Sequence, residues 1–331
     1  MNPTFFRRLS CATALVIAAL SSLPAQASPY SSLVVFGDSL SDTGNLSILT
    51  GGGVAAPYFN GRISDGPIWI DTLAAGLGLP AGAVPSFAGG TNFAIAGART
   101  GTAQNPPGVL AQVAGLWNGV GDANALYVVV GGGNDMRDAR SAFQTNSAAD
   151  VAGREAAAQA AVGNLGNALG FLAAHGAKHV LISNLPDLGN SPEAAFIGLR
   201  EASSDVANRF NALIPGLLNT GAGFGLDMSF LDMAGLLRTV IDDATNHGGA
   251  TYGITNVTSP CAGFKFSIGN ACDVSLFSDA LHPSAVAHKL IGTAAIAAVV
   301  PEPTTYALMG FGLLTVAGLS RRRATKVTMA A

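Results

Sequence analysis

The sequence predicts an α/β domain whose parallel sheet is covered on both faces by helices, and two observations carry that expectation. Short runs rich in β-branched residues alternate with longer alanine-rich runs, and 49% of the 331 residues are hydrophobic while only 11% are charged. Alternation of this kind requires parallel strands joined by crossover helices, and the apolar content suffices for one large core. The runs LVVFG from Leu33, LYVVVG from Leu126 and HVLISN from His179 are bounded by Gly, Pro or Asn and read as central strands. Helices are predicted over residues 68–77, 109–117, 149–175 and 193–218, with Gly176 as a C-cap before the third strand. A fourth strand is expected at 224–229 and a last helix at 284–298, while the Gly- and Pro-rich stretch 51–60 reads as a long surface loop. In such a sheet, ligands sit outside the carboxyl ends of the strands.

The chain ends and the composition narrow the class further. A formal net charge of -3 supplies no cationic field for nucleic acid, which points away from that partner. Residues 1–27 read as a signal peptide: Arg7 and Arg8 precede the apolar run CATALVIAAL, and AQA leaves small residues for cleavage near Ala27. That run is shorter than the ~20 residues a spanning helix needs. At the other end, Pro301, Glu302 and Pro303 break the chain before an apolar run at 306–319, closed by Arg321, Arg322 and Arg323. The prolines stop the preceding helix, the run is long enough to enter a bilayer, and the arginines would hold its end on the cytoplasmic side. The mature domain is thus expected at 28–299, followed by the tail at 300–323 and a short extension at 324–331.

Of the three cysteines, Cys11 would leave with the signal peptide, so Cys261 and Cys272 remain as a pair in an oxidising compartment and are expected to be bridged. Closing so short a loop stabilises a fold by about 3 kcal/mol on the chain-entropy model. No CxxC pair and no HExxH occurs, so zinc has no support.

The chemistry begins where the first strand ends, in GDSLSDTGN at 37–45. Gly37 lets the chain turn sharply, and Ser39 on that turn can expose its hydroxyl while its own N–H stays free for an oxyanion. A serine needs a base to take its proton. Of the five histidines, His282 has a carboxylate at short spacing, in SDALHPS at 278–284. Asp279, three residues earlier, can return to Nδ1 in a tight turn and fix the tautomer, leaving Nε2 for the serine. TNFAIAGA at 91–98 and GGND at 132–135 fall at predicted strand ends, where Gly97 can offer a backbone N–H and Asn134 its side-chain amide. Each segment alone is ordinary turn chemistry. His175 and His179 read as capping or packing residues, His247 as solvated and His288 as structural. Asp38, Asp42, Asp135 and Asp187 read as makers of hydrogen bonds within their own loops. No GxSxG and no GxGxxG is present, which removes the nucleophile elbow of α/β-hydrolases and the dinucleotide fingerprint.

These four blocks, in this order, resemble the GDSL family of the SGNH hydrolase superfamily, over about residues 33–298. NGRISDGPIWIDTLA from Asn60 and NLPDLGNSP from Asn184 are similar to the branch that contains secreted lipases and autotransported esterases. The resemblance implies a flavodoxin-like three-layer α/β/α fold. It implies Ser39 as nucleophile, Gly97 and Asn134 as oxyanion donors beside the Ser39 N–H, His282 as base and Asp279 as its orienting acid. No cofactor is implied. The implied substrates are small-molecule, lipid or acylated polysaccharide esters, with polysaccharide deacetylase, phospholipase and acyltransferase as alternatives on the same site and an inactive surface binding protein as the non-enzymatic one. One departure is Ser278, where many relatives carry Trp, which would widen or polarise the pocket. VPEP at 300–303 makes the tail resemble the PEP-CTERM sorting signal. That implies export, transient or stable membrane anchoring, and processing by an exosortase-like enzyme after signal peptidase, with an extracellular or cell-surface destination. A plain anchor without processing is the alternative, and oligomeric state stays open.

Overall fold

The computed structural model describes residues 28–300, together with Gly312. The expected signal peptide, the sorting tail beyond Val300 and Cys11 lie outside the described residues.

The strands β1 (Leu33–Phe36), β2 (Leu126–Val129), β3 (His179–Ser183) and β4 (Asp227–Leu231) form one parallel sheet in the order β1-β2-β3-β4. On the free side of β1 the segment 91–95 runs alongside: Val35 N donates to Thr91 O at 3.0 Å, Phe93 N to Val35 O at 2.7 Å and Ile95 N to Gly37 O at 3.1 Å. Counting that segment, the chain order across the sheet is 2-1-3-4-5, the flavodoxin-like order. Successive side chains point to opposite faces. Val34, Phe36, Tyr127, Val129, Val180 and Ile182 bury one face, and Leu33, Val35, Leu126, Val128 and Leu181 the other. With both faces covered, the strands read as continuous apolar runs, which is why the sequence exposes them.

The helices follow as α1 (Asn45–Leu49), α2 (Trp69–Leu77), α3 (Val109–Ala111), α4 (Gly133–Ala142), α5 (Ala148–Ala174), α6 (Pro192–Phe196), α7 (Arg200–Gly223), α8 (Met233–His247) and α9 (Ala285–Val299). Residues of α3, α5 and α7 pack on the first face, and those of α2, α8 and α9 on the second. A parallel pair, β5 (Asn256–Pro260) and β6 (Ser275–Phe277), stands apart from the main sheet. Between them Cys261 and Cys272 are disulfide-bonded, with Cα atoms 4.8 Å apart.

The structure corrects several boundaries. The helix expected over 193–218 is two helices, because Gly198 takes φ 69° and Leu199 N closes back on Ala194 O at 2.9 Å, ending α6. The helix expected over 109–117 makes one α turn and then widens into a π turn over Gln112–Leu116. Buried Gln112 there spends its amide on the Gly37 backbone. The fourth strand starts later than expected, since Phe224 caps α7 and Gly225 takes φ 80°. Helices α4 and α8 and the β5-β6 pair were not expected.

His288, in α9, is 1% exposed, and neither ring nitrogen has a partner among the described residues. Burial, with the charge of His282 adding, pushes its pKa down to about 3. The unfolded chain therefore takes up a proton that the fold refuses, so stability is lost as pH falls from about 6.5 toward about 3. Asp38, pushed up to about 6 by burial, holds its proton longer in the fold and acts in the opposite sense between about 4 and 6. His288→Leu is expected to flatten the acid loss of Tm relative to the parent between pH 6.5 and 4. Parallel Tm curves for the two proteins would contradict this.

Candidate active site

The serine turn grows directly out of β1. Gly37 is required there, because a Cβ would stand 2.7 Å from the Val130 carbonyl oxygen. Its N–H donates to Gln112 Oε1 at 2.9 Å, and Gln112 Nε2 donates to its carbonyl at 2.8 Å. Asp38 O then accepts from Ser41 N and Asp42 N, both at 3.0 Å, closing a turn that carries Ser39 at its tip. Asp42 binds the turn together: its carboxylate accepts from Gly44 N at 2.7 Å, Asn45 N at 2.6 Å, Leu46 N at 3.0 Å and Ala96 N at 2.8 Å. The last of these leaves its own loop for the Gly97 segment.

The histidine turn lies between β6 and α9. Asp279 Oδ1 accepts from Leu281 N at 2.8 Å and His282 N at 2.7 Å, which folds the carboxylate back under the ring. His282 Nδ1 is 2.8 Å from Asp279 Oδ2, and its Nε2 is 2.8 Å from Ser39 Oγ. Burial alone would raise the Asp279 pKa, but the His282 charge and the hydrogen bonds from His282 and Leu281 outweigh it and hold the carboxyl well below the usual range. Asp279 is therefore an anion hydrogen-bonded to the imidazole at Nδ1. Ser278 is fully buried and sets its Oγ 3.2 Å from both His282 O and Pro283 O. It braces the turn and lies outside the pocket lining.

Gly97 takes φ 85°, a left-handed backbone that favours glycine. It sits between two anchors, Ala96 N on the Asp42 carboxylate and Ala98 O on Asn134 Nδ2 at 2.9 Å. Among the described residues, neither its N–H nor that of Ser39 donates to another protein group. Asn134 lies in the first turn of α4, where unpaired N–H groups and the helix dipole favour negative charge. Its Oδ1 accepts from Arg137 at 3.2 Å, which turns the amide N–H groups the other way. Arg137 is in turn gripped by Glu193, at 2.5 and 3.0 Å, while Glu193 also pairs with Arg140 and its backbone N–H donates to Ala280 O at 2.7 Å. The Asn134 helix and the histidine turn are thereby joined.

The structure brings Ser39, Asn134 and His282 to one pocket wall, with Gly97 and Asp279 outside its lining. The rest of the pocket is mostly aliphatic and aromatic, from Leu185, Leu188, Leu237, Ile241, Leu276, Phe277 and Leu281. The remaining polar readings divide. Asp187 serves its turn through Gly189 N at 2.9 Å but also leaves its loop to accept from Ser204 Oγ of α7 at 2.7 Å, and His175 caps α5. His179 meets Asp227 at 3.0 Å and His247 is exposed. Asp135 departs from expectation: it reaches across to Thr100, accepting from its N–H and its hydroxyl, at 2.8 Å for the latter, and so fixes the Gly97 segment against α4. Tyr58, Arg137 and Glu193 were not singled out from sequence. Tyr58 Oη donates to Asp279 Oδ2 at 2.7 Å across 221 residues of chain, a separation no local pattern signals.

Comparison with known proteins identifies the family. Residues 33–295 match the family described as GDSL-like Lipase/Acylhydrolase, and residues 299–323 match the PEP-CTERM protein-sorting motif, which indicates export and sorting. Among the described residues, no helix is long and apolar enough to cross a membrane. The chain is 29% identical to esterase EstA of Pseudomonas aeruginosa over 334 residues, covering 84% of this chain and 48% of that protein. It therefore spans about half the length of that relative. It is 28% identical to phosphatidylcholine-sterol acyltransferase of Aeromonas hydrophila, covering 75% of this chain and 72% of that one. The crystal structure of an extracellular lipase from Streptomyces rimosus aligns at TM-score 0.44 and 18% identity, covering 81% of this chain and 99% of that one. With a family match that runs from β1 into α9, the chain belongs to the GDSL-like lipase/acylhydrolase family.

Proposed function

We propose that the protein hydrolyses carboxylic esters through an acyl-enzyme on Ser39, and that its substrates carry an aliphatic acyl chain longer than acetyl. The observation that carries the reaction is the unbroken line from Ser39 Oγ through His282 to the Asp279 carboxylate, with 2.8 Å at each junction. Ser39 Oγ attacks the carbonyl carbon as His282 Nε2 takes its proton, and Asp279 balances the imidazolium. The N–H groups of Ser39 and Gly97 and the amide of Asn134 receive the oxyanion. Collapse expels the alcohol with the proton from His282, and water repeats the sequence on the acyl-serine. Apart from the hydrolytic water, each step is assigned to side chains and backbone of this chain.

The acyl preference rests on the pocket beside Ser39, whose lining is mainly apolar, with leucines, Ile241 and Phe277, alongside Arg137, Arg238, Asp187 and Asn190. Burying each methylene is worth about 0.8 kcal/mol, or up to about fourfold in kcat/KM per carbon until the pocket is filled. A series of nitrophenyl esters from acetyl to dodecanoyl is expected to show kcat/KM rising with chain length before it levels. A maximum at acetyl would contradict the acyl assignment and favour a polysaccharide deacetylase. On the same reading residues 1–27 are removed by signal peptidase, and the tail anchors the protein in the membrane until an exosortase-like enzyme processes it for the cell surface.

A further inference from the structure

We infer that Tyr58 is a positioning residue for the hydrolytic site, holding the Asp279 carboxylate in the plane that His282 needs; the inference rests on the reading of Ser39, His282 and Asp279 given above.

The two carboxylate oxygens of Asp279 are engaged differently. Oδ1 accepts from the backbone N–H groups of Leu281 and His282 and also lies 3.0 Å from His282 Nδ1. Oδ2 approaches the imidazole most closely, 2.8 Å from Nδ1, and among the described residues its one other donor is Tyr58 Oη at 2.7 Å. Held by the backbone on Oδ1 and otherwise by the very imidazole it must orient, the carboxylate can still twist about its last torsion, whose energy well is broad. A second donor on Oδ2 removes that freedom. It also draws charge from the oxygen that supports the imidazolium. Burial and the Asp279 charge both push the phenol pKa up, so Tyr58 stays a donor throughout the working pH range.

The loop that carries Tyr58 is fixed at both sides of the site. Arg62 grips Asp71 at 2.8 and 2.6 Å and donates to Thr43 O at 3.1 Å, next to the serine turn. Ser64 Oγ donates to Pro283 O at 2.9 Å, and Asp65 Oδ1 accepts from Ala285 N at 2.8 Å, both beside the histidine turn. Gly61 packs closely on the serine-turn side, since a Cβ there would stand 3.1 Å from Gly44 Cα. The Tyr58 ring itself rests edge-on against Phe264, centroids 5.2 Å apart, inside the disulfide-closed loop. Tyr58 is thus a pre-set donor, held by packing as well as by its acceptor.

The consequences separate this role from a structural one. Tyr58→Phe removes one hydroxyl and is expected to lower kcat about tenfold with KM within about twofold, while Tm stays close to the parent. Without the phenol, Asp279 concentrates its charge toward Nδ1, the imidazolium is favoured, and the acid limb of kcat/KM moves to higher pH by a few tenths. The titratable groups facing this pair are Tyr58 from the loop, Asp38 from the serine turn and His288 from α9. Asp38 and His288 are unchanged in the variant.

The test is a double-mutant cycle of Tyr58→Phe with Asp279→Asn, read as kcat, KM and pH profile on one ester. The expected result is a tenfold loss and a shifted acid limb in the parent background, and no further loss in the Asp279→Asn background. An unchanged kcat and pH profile for Tyr58→Phe, or an equal loss in both backgrounds, would overturn the inference. Failure of the underlying reading shows differently, as activity that survives Ser39→Ala whatever stands at position 58.

Discussion

Ser39→Ala is expected to lower kcat for ester hydrolysis on the order of 10⁶-fold, leaving a residue of activity that comes from binding and oxyanion stabilisation alone. The size follows from the chemistry: alanine offers no oxygen for the carbonyl carbon, and the hydroxyl it replaces is hydrogen-bonded to His282 Nε2 at 2.8 Å. His282→Ala is expected to cost about as much, because a serine without a base is a poor nucleophile. The double variant should be no slower than either single one, since the two residues act as one unit. Neither change touches the core, so both proteins should unfold near the parental temperature. The measurement is kcat on the same nitrophenyl ester for the three variants. Near-normal activity of Ser39→Ala, or additive losses in the double variant, would contradict the mechanism.

Asn134→Ala is expected to lower kcat by about 10²–10³-fold with little change in KM. The amide sits in the first turn of α4, and its Oδ1 is held by Arg137, which is itself held by Glu193. One amide hydrogen serves Ala98 O, and on the proposed mechanism the other serves the oxyanion. Because charge on that oxygen develops as Ser39 attacks, the loss belongs to the transition state and not to substrate binding. Asn134→Asp should be worse than alanine at neutral pH, since it sets an anion beside the developing one. A loss confined to KM for Asn134→Ala would show that the amide binds substrate uniformly and is no oxyanion donor.

Much of this architecture is legible in the sequence because each feature has a local cause. Strands β1, β2 and β3 are buried on both faces, so they appear as short β-branched runs bounded by Gly or Asn. Asp279 and His282 lie three residues apart in one turn, and Ser39, Gly97 and Asn134 each sit just beyond a strand or strand-like segment, where the glycine-bearing pattern marks them. What the sequence conceals is set by contacts between distant segments. Tyr58 occupies a stretch that reads as surface loop, and its role exists through Asp279, Arg62 and Ser64 acting at long range. The Arg137–Glu193–Ala280 link is hidden for the same reason. Helix α4 buries only Met136, Ala139 and Arg140, too few apolar positions to show a helical stripe. Helix α8 is a different case, since Met233, Leu237 and Val240 are buried at helical spacing and the pattern was there to be read.

The most direct test of the proposed nucleophile is labelling of the purified protein with a fluorophosphonate probe, followed by mapping of the modified peptide in the parent and in His282→Ala. The account predicts one modified residue, Ser39, with labelling lost when His282 is replaced. Folded protein that takes no label, or takes it at another residue, would contradict it.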